Sequence, residues 1–337
     1  MYAESIKTEI PSYTNKIEKF KTMRINSRTI KKCLIALIIL LIIYFFSRFI
    51  LINLTKVNWQ EIKIETNLLI ISILLLVASS FAGGFAWVKN LSTLGSKINF
   101  WQGIKVIAFA QFGKYIPGKV WSVGGRIILL KRLGVDEIQS SLAILIEAIC
   151  LFLSAMVIFL SSLGFYGKET IPQRVYISFL FIPLSLILLH PKILKRLIAL
   201  GIRLRMRGQG KALSEQLSTA NFQLSIRQIV YLYLLYFFSW FIHTAGFFFL
   251  TKSIYPSANN FLGIIGAFSL SWALSFAVIF LPGGLGMREG ILTFFLKFFL
   301  PLPIAALMSL IGRLWTTLGE IVIFIIALLI KGKKNER

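Results

Sequence analysis

The sequence has few acidic residues, histidines or cysteines, and it contains none of the familiar catalytic motifs. Its 337 residues include 13 Asp and Glu, 2 His and 2 Cys. Two histidines give little basis for a histidine-based metal site. Both cysteines lie in apolar runs, where a small hydrophobic role is expected. No G-x-S-x-G elbow, H-E-x-x-H or Rossmann glycine pattern occurs. We therefore expect neither metal nor cofactor, and the sequence offers no direct support for catalysis.

Long apolar runs dominate the chain, since hydrophobic residues make up 57% of it. A helix needs about 20 apolar residues to cross a bilayer, and runs such as Leu34–Phe46 are continuous, unlike the alternating strands of a membrane barrel. The sequence thus predicts an all-α integral membrane protein, a polytopic bundle of about eight transmembrane helices. The predicted spans are Cys33–Leu54, Leu68–Val88, Ile138–Leu163, Ile229–Leu250 and Phe261–Leu281, with Val175–His190, Gly290–Leu300 and Pro303–Ile330 as weaker candidates.

The positive charge is unevenly distributed along the chain. Lys and Arg outnumber Asp and Glu by 37 to 13, giving a net charge of +24. If the N-terminus is cytoplasmic, 28 of the positive residues fall on the cytoplasmic side and 5 on the other side. This bias follows the positive-inside rule and predicts cytoplasmic N- and C-termini in a multi-pass protein of the cell membrane. No basic segment forms a separate domain, so nucleic-acid binding is not expected. The predicted divisions are a basic tail (1–32), a membrane domain (33–330) and a second basic tail (331–337).

Two segments rich in glycine and proline interrupt the apolar pattern. The first lies within residues 89–137, where the apolar pieces Ile104–Phe112 and Ile127–Leu130 flank Pro117 and Gly118. These pieces are too short to span a bilayer. Broken backbone is tolerated at membrane depth only where protein or a wet cavity covers it. We therefore expect a re-entrant or interfacial hairpin here.

The first interruption combines freed backbone N–H groups with positive charge. Glycine and proline leave N–H groups unpaired at helix ends, and such ends favour anions. The segment predicts a phosphate or lipid-headgroup site; the alternative is a cytoplasmic turn with snorkelling lysines. Beside Pro117 and Gly118, the candidate residues are Lys114, Tyr115, Trp121 and Arg126.

The second interruption, Phe280–Gly290, has three glycines in four positions, which permit positive φ and close backbone approach. A helix is expected to restart at Arg288 and Glu289. Glu289 there suits the helix dipole, and Arg288 offers a bidentate fork for phosphate. The segment lacks the Gly-Lys-Ser/Thr ending of a nucleotide-binding loop. The candidate residues are Pro282, Gly283, Gly284, Gly286, Arg288 and Glu289.

Ionisable residues within the predicted spans form a third group of candidates, because charge is costly in lipid and usually faces a cavity or a partner. Glu147 can pair with Arg126 or with Arg288. Arg313 and Glu320 are seven positions apart and so share one helix face. Structural ion pairing is the alternative to substrate binding for all of them. His243 fits an ordinary interior histidine better than a ligand.

The two interruptions share a local pattern, since Ile116-Pro117-Gly118 and Leu281-Pro282-Gly283 are each followed by glycines and an arginine. Each interruption also follows a two-span hairpin and precedes two more spans. The sequence therefore predicts a 4+4 internal repeat, and paired broken segments of this kind indicate a transporter binding site.

The stretches QFGKYIPGKVWSVGGR (Gln111–Arg126) and FLPGGLGMREG (Phe280–Gly290) resemble the two signature stretches of the lysylphosphatidylglycerol synthase transmembrane region family, also called flippase-like. The resemblance covers roughly residues 30–330. It implies a helical bundle with re-entrant segments that handles lipid headgroups. In full-length synthases this bundle moves aminoacylated phosphatidylglycerol between leaflets, and a separate soluble domain performs aminoacyl transfer. The chain stops at Arg337, directly after its last span, so we expect that domain to be lacking.

Three functions remain open. The first is a transporter or flippase for an anionic phospholipid or a polyprenyl-phosphate-linked intermediate, which the resemblance makes equally plausible. The second is a membrane-embedded transferase, for which Glu147 and Glu289 are the only suitable carboxylates. The third is a non-catalytic partner subunit of an envelope-biosynthesis enzyme.

Overall fold

The computed structural model describes residues 44, 48, 51–115, 120–165, 225–277 and 286–330. Within these ranges the regular structure consists of α-helices and short 3-10 helices, without strands. The chain divides into two units, Met1–Ser47 and Arg48–Arg337, and the helices that follow belong to the second. The predicted all-α architecture is confirmed.

The α-helices of the described ranges vary in length from 10 to 29 residues. In chain order they are α1 (Thr66–Thr93), α2 (Phe100–Gln111), α3 (Val120–Arg132), α4 (Glu137–Ser162), α5 (Ile226–Ile254), α6 (Phe261–Ala277), α7 (Met287–Leu296) and α8 (Leu302–Leu329).

Four of these helices are long and apolar enough to cross a membrane, namely α1, α4 (with the 3-10 turn to Phe165), α5 and α8. They match the predicted spans Leu68–Val88, Ile138–Leu163, Ile229–Leu250 and Pro303–Ile330, so the multi-pass membrane architecture is confirmed. Helix α6 has 17 residues, and its predicted continuation to Leu281 lies outside the described residues. The same holds for Val175–His190 and for most of Cys33–Leu54.

The weaker candidate span Gly290–Leu300 was wrong. The structure forms the 10-residue helix α7 there, followed by a turn that leads into α8 at Pro301. Ten helical residues rise only about 15 Å, half the thickness of the hydrocarbon core. Proline fits the first turn of a helix, and Pro303 is the second residue of α8, whose N-cap is Pro301.

Side-chain caps place the helix starts. Asn99 and Gln102 form a reciprocal capping box at the start of α2, and Ser225 and Gln228 form another at α5. Asp136 accepts from the N–H of Ile138 at the start of α4. Each cap satisfies N–H groups that the first helical turn leaves unpaired. The boundaries of α2, α4 and α5 thus follow from local sequence.

Helices α1 and α5 pack antiparallel along their whole length. The N–H of Glu65 donates to the carbonyl of Ser253 at 2.8 Å, and the Ser72 hydroxyl donates to the carbonyl of Gly246 at 2.8 Å. Further along, the Asn90 amide donates to the Tyr236 hydroxyl at 3.2 Å. The contacts pair increasing residue numbers on α1 with decreasing residue numbers on α5, so the start of α1 lies beside the end of α5.

The helix ends form two opposite ends of the bundle, which we name after exposed loop residues. At the Lys97 end, Ser96 donates to Gln139 near the start of α4, and the Lys105 ammonium donates to the carbonyl of Ile330 after α8. At the Ser257 end, the start of α6 packs against the end of α4, where a Cβ on Gly266 would collide with Ser162. The Lys97 end therefore holds the starts of α2 and α4 and the end of α8.

The short helices α2 and α3 form an antiparallel hairpin around the first interruption. A Cβ on Gly113 would lie 2.7 Å from the backbone of Trp121 and Ser122, and one on Gly125 would lie 3.7 Å from Ala110. The glycine at 113 thus permits backbone to meet backbone where the chain reverses. The predicted hairpin is present as two short helices that start and finish at the Lys97 end.

Candidate functional site

Arg126 lies at the centre of the first polar cluster. Its Nη1 donates to Glu147 on α4, and its guanidinium lies 5.0 Å from the centre of the Trp87 ring on α1. The Arg126 and Glu147 side chains are each only 14% exposed. Of the two partners that the sequence allowed for Glu147, the structure selects Arg126. Charge pairing and the aromatic face together compensate a guanidinium held inside an apolar bundle.

The guanidinium of Arg126 keeps hydrogen-bonding capacity. Guanidinium carries five N–H donors in a planar fork, and Glu147 is the one acceptor that the described residues supply to Arg126. An anion with two or three oxygens, such as a phosphate, matches the remaining donors. The first cluster can therefore bind a phosphate while its ion pair stays formed.

Two buried polar atoms of α1, one of them in Trp87 beside Arg126, have no hydrogen-bond partner among the described residues. They are Nε1 of Trp87 and Oδ1 of Asn90, one donor and one acceptor. Their side chains lie one helical turn apart on α1 and so share a face. The Asn90 amide nitrogen is occupied, since it donates to the carbonyl of Ala143 at 2.8 Å and to Tyr236. The first polar cluster therefore has polar groups on α1, from Trp87 and Asn90, as well as on α3, from Arg126.

Glu289 is the centre of the second polar cluster. Its Oε2 accepts from the N–H of Gly286 at 2.8 Å, and its Oε1 accepts from Nη1 of Arg313 on α8. The Glu289 side chain is 3% exposed and that of Arg313 is 20% exposed. Gly286 has φ +81°, which suits glycine. The predicted helix restart and the position of Glu289 in its first turn are confirmed.

Arg288, the residue before Glu289, lies over an aromatic ring. Its guanidinium carbon is 4.9 Å from the centre of Phe268 on α6. The Phe268 ring in turn stacks on Phe247 of α5 at 4.3 Å. The two consecutive residues at the start of α7 therefore contact different helices: Glu289 contacts α8 and Arg288 contacts α6.

Glu320 and Arg313 share a face of α8, as predicted, but contact different helices. Oε1 of Glu320 accepts from the side-chain amide of Gln111, at the end of α2, at 3.3 Å. Arg313 is held by Glu289. One face of α8 therefore connects the first interruption to the helix that follows the second.

His243 occupies an aromatic setting between α1, α5, α6 and α8. Its Nδ1 lies 3.2 Å from the hydroxyl of Ser79, and its ring contacts Trp240, Phe268 and Trp315. This matches the predicted interior histidine. Among the described residues there is no group of three His, Cys, Asp or Glu suited to a metal ion.

Of the remaining candidates, the structure describes the side chain of Trp121 alone. Trp121 is 62% exposed on the outer side of α3, as expected of a residue that faces lipid or interface. The side chains of Lys114 and Tyr115 lie outside the described residues, although their backbone continues α2 as a 3-10 turn. The other candidates outside the described residues are Pro117, Gly118, Pro282, Gly283 and Gly284.

Sequence reasoning missed Trp87, Asn90 and Gln111, and it did not pair Glu289 with Arg313. A signal for that pair was present. Helices joined by a short turn are antiparallel neighbours, so charges on α7 and α8 at similar distances from Pro301 can meet. Trp87 and Asn90 carried no such signal, because one Trp or Asn near the end of a span is ordinary.

A bundle with four span-length helices and arginine–glutamate pairs inside it defines an α-helical multi-pass membrane protein. This chain belongs to the lysylphosphatidylglycerol synthase TM region family, whose family model matches residues 32–325. Membership associates the protein with lipid metabolism in the membrane and confirms the resemblance carried by the two glycine-rich stretches. No curated protein matched the chain.

Proposed function

We propose that the protein is a transporter, or flippase, for a lipid or lipid-linked intermediate with a phosphate-containing headgroup. The observation that carries this proposal is Arg126, a largely buried guanidinium beside a break in the membrane helices. It is held by Glu147 and Trp87 but retains N–H donors for an anion. A charged headgroup loses its hydration water inside the bilayer, so it needs a partner such as a buried guanidinium in place of that water. Family membership supports a lipid rather than a soluble anion as substrate.

The orientation in the cell membrane is part of the proposal. The Lys97 end carries Lys89, Lys131, Arg132 and Arg227 as well as Lys97, whereas the Ser257 end carries fewer basic residues. Positive residues near span ends favour the cytoplasmic side. We therefore assign the Lys97 end to the cytoplasm, so Arg126 is reached from the inner leaflet.

The contacts of the carboxylates favour transport over transferase chemistry. A transferase would need Glu147 or Glu289 as a general base or nucleophile. Both accept from arginines, and Glu289 also accepts from the backbone of Gly286. Such carboxylates act as structural or gating groups more readily than as nucleophiles.

The test is headgroup-dependent translocation by purified protein in liposomes, with fluorescent anionic phospholipid and polyprenyl-phosphate lipids measured in parallel. Wild type should move at least one of them, and Arg126→Gln should reduce the rate at least tenfold. Lys131→Gln on the same helix is the matched control, because Lys131 is exposed and pairs with the exposed Glu137; it should move lipid at the wild-type rate. Wild-type liposomes that equal protein-free liposomes for every lipid would refute the proposal.

A further inference from the structure

Glu147 has one carboxylate oxygen that receives no hydrogen bond from the described residues. Its Oε2 accepts from Nη1 of Arg126, and Arg126 is the one donor that the described residues supply to this carboxylate. Both oxygens of Glu289 are taken, because Oε1 accepts from Arg313 and Oε2 accepts from the N–H of Gly286. Oε1 of Glu147 can therefore bind a proton while Oε2 keeps its hydrogen bond to Arg126.

The ion pair of Arg126 and Glu147 carries no net charge, since one guanidinium faces one carboxylate. Each side chain is 14% exposed, so water and salt screen the pair weakly. A phosphate that accepts from the remaining N–H groups of Arg126 brings a negative charge within about 6 Å of the carboxylate. Two anions then share one cation, and their repulsion favours protonation of one of them. A phosphodiester is a much weaker base than a carboxylate, so the proton goes to Glu147.

The other groups around Glu147 do not supply a second positive charge. Helix α4 packs against α1, α3, α5 and α6. Beside Arg126 on α3, the titratable groups that interact electrostatically with Glu147 are Tyr236 on α5 and Cys150 on α4, and a phenol and a thiol are neutral at neutral pH. The polar groups of α1 in this cluster are an indole and an amide, which do not titrate, and α6 contains no titratable residue. A proton on Glu147 is therefore the available compensation for a bound phosphate.

Polar groups lead from the Lys97 end towards Glu147. Asn90 lies in the last turn of α1, which ends at Thr93, and its amide donates to the carbonyl of Ala143, one helical turn before Glu147 on α4. Oδ1 of Asn90 and Nε1 of Trp87 are buried and have no hydrogen-bond partner among the described residues. Buried polar atoms of this kind bind water inside proteins. A proton from the side that we assign to the cytoplasm thus meets polar groups on its way to Glu147.

We propose that the protein takes up a proton together with its lipid, and that Glu147 is the proton-binding site. This inference rests on the proposed function and deepens it, because the phosphate held by Arg126 is what favours the proton. One proton passes from cytoplasmic water to Oε1 of Glu147 and forms a carboxyl O–H bond. Arg126 stays a cation, and its Nη1 keeps donating to Oε2. The two side chains and a singly charged phosphate then have no net charge inside the apolar bundle.

Proton uptake is tested by isothermal titration calorimetry, with a short-chain, ether-linked phosphatidylglycerol added to the purified wild-type protein. The phosphodiester of this probe keeps one negative charge around neutral pH, so any pH dependence belongs to the protein. Buffers of different ionisation enthalpy should reveal uptake of up to about one proton per lipid bound. Because the coupling is reciprocal, the affinity should rise as the pH falls, by up to about tenfold per pH unit. Binding without proton uptake would overturn the inference.

Glu147→Gln removes the titrating carboxylate and imitates its protonated form. This variant should bind the probe without proton uptake, with an affinity that does not change with pH and that exceeds the wild-type affinity at neutral pH. Glu137→Gln on the same helix is the matched control, because Glu137 is 56% exposed and pairs with the exposed Lys131. The control should take up as many protons as wild type. The same proton uptake in Glu147→Gln would assign the proton to another group and contradict the proposed site.

If Glu147→Gln does not fold, infrared difference spectroscopy of the wild type replaces it. Binding of the ether-linked probe, which has no ester carbonyl, should produce the carbonyl stretch of a protonated carboxyl group, and isotope-labelled glutamate should shift that band. Binding without such a band overturns the inference. Wild type that moves lipid in liposomes but takes up no proton leaves the flippase proposal standing, whereas wild type that neither binds nor moves any lipid refutes both.

Discussion

The two polar clusters contain the same pair of residue types but differ in how the pair is held. Arg126 and Glu147 are each 14% exposed, and the arginine also lies on Trp87. Glu289 is 3% exposed and is held by both Arg313 and the backbone of Gly286. In the first cluster an aromatic ring lies beside the cation, and in the second a backbone N–H donates to the anion. Glu289 is therefore more enclosed than Glu147, whereas the two arginines are similarly exposed, Arg126 at 14% and Arg313 at 20%.

The largest effect is expected for Glu289→Gln. The change removes the carboxylate charge that pairs with Arg313 in the bundle interior, and breaking such a pair costs about 3–5 kcal/mol. The apparent unfolding temperature in detergent, followed by size-exclusion fluorescence, should fall more than for any other single variant below. If the unfolding temperature falls less for Glu289→Gln than for Glu147→Gln, the second pair does not contribute more to the fold than the first.

Glu147→Gln should come second, because Trp87 continues to support the Arg126 cation through its ring. The double reversal Arg126→Glu with Glu147→Arg should recover most of the lost unfolding temperature. The reversal variant carries the arginine on the long helix and the glutamate on the short one, as the second cluster does. Measuring its affinity for phosphate therefore compares the two arrangements in one protein. No recovery in the reversal would show that Trp87, and not Glu147, is the main partner of Arg126.

Gly113→Ala should destabilise the protein by about 1–3 kcal/mol, the usual cost of overpacking. Its Cβ would meet backbone atoms of Trp121 and Ser122 at 2.7 Å, and backbone cannot move aside as a flexible side chain can. Gly124→Ala in the same hairpin is the matched control. Nothing lies within 4 Å of its Cβ, and alanine favours helix by about 1 kcal/mol over glycine. Equal unfolding temperatures for the two variants would contradict the close approach of α2 and α3.

The smallest effect is expected for Lys131→Gln. Its hydrogen bond to Glu137 and the carboxylate charge raise the pKa of Lys131. Any stabilisation is therefore present at neutral pH and is lost only as the pH rises through that raised value. The pair is exposed and screened by solvent, so no measurable shift in unfolding temperature is expected at pH 7. A fall as large as that of Glu147→Gln would remove the distinction between interior and surface pairs.

The sequence predicted the long helices well and the contacts between them poorly. Spans such as Leu68–Val88 were readable because continuous apolar runs of that length have few soluble alternatives. The break before Arg288 and Glu289 was equally readable from its glycines. The choice between Arg126 and Arg288 as partner of Glu147 was not, because it depends on α3 doubling back beside α4. Trp87 joins that cluster only because α1 packs against the same hairpin, which local sequence does not encode.

The antiparallel contact between α1 and α5 has a consequence for biosynthesis. Ser72, Ser79 and Asn90 of α1 find their partners Gly246, His243 and Tyr236 only after α5 has been synthesised. Protein synthesis proceeds at roughly 5–20 residues per second, so the chain between α1 and α5 delays these contacts by on the order of ten seconds. During this interval the polar groups of α1 must be sheltered by the insertion machinery or by α2 to α4. The last steps of assembly therefore join early and late parts of the chain, and truncation before Ile226 should leave α1 inserted but without its main packing partner.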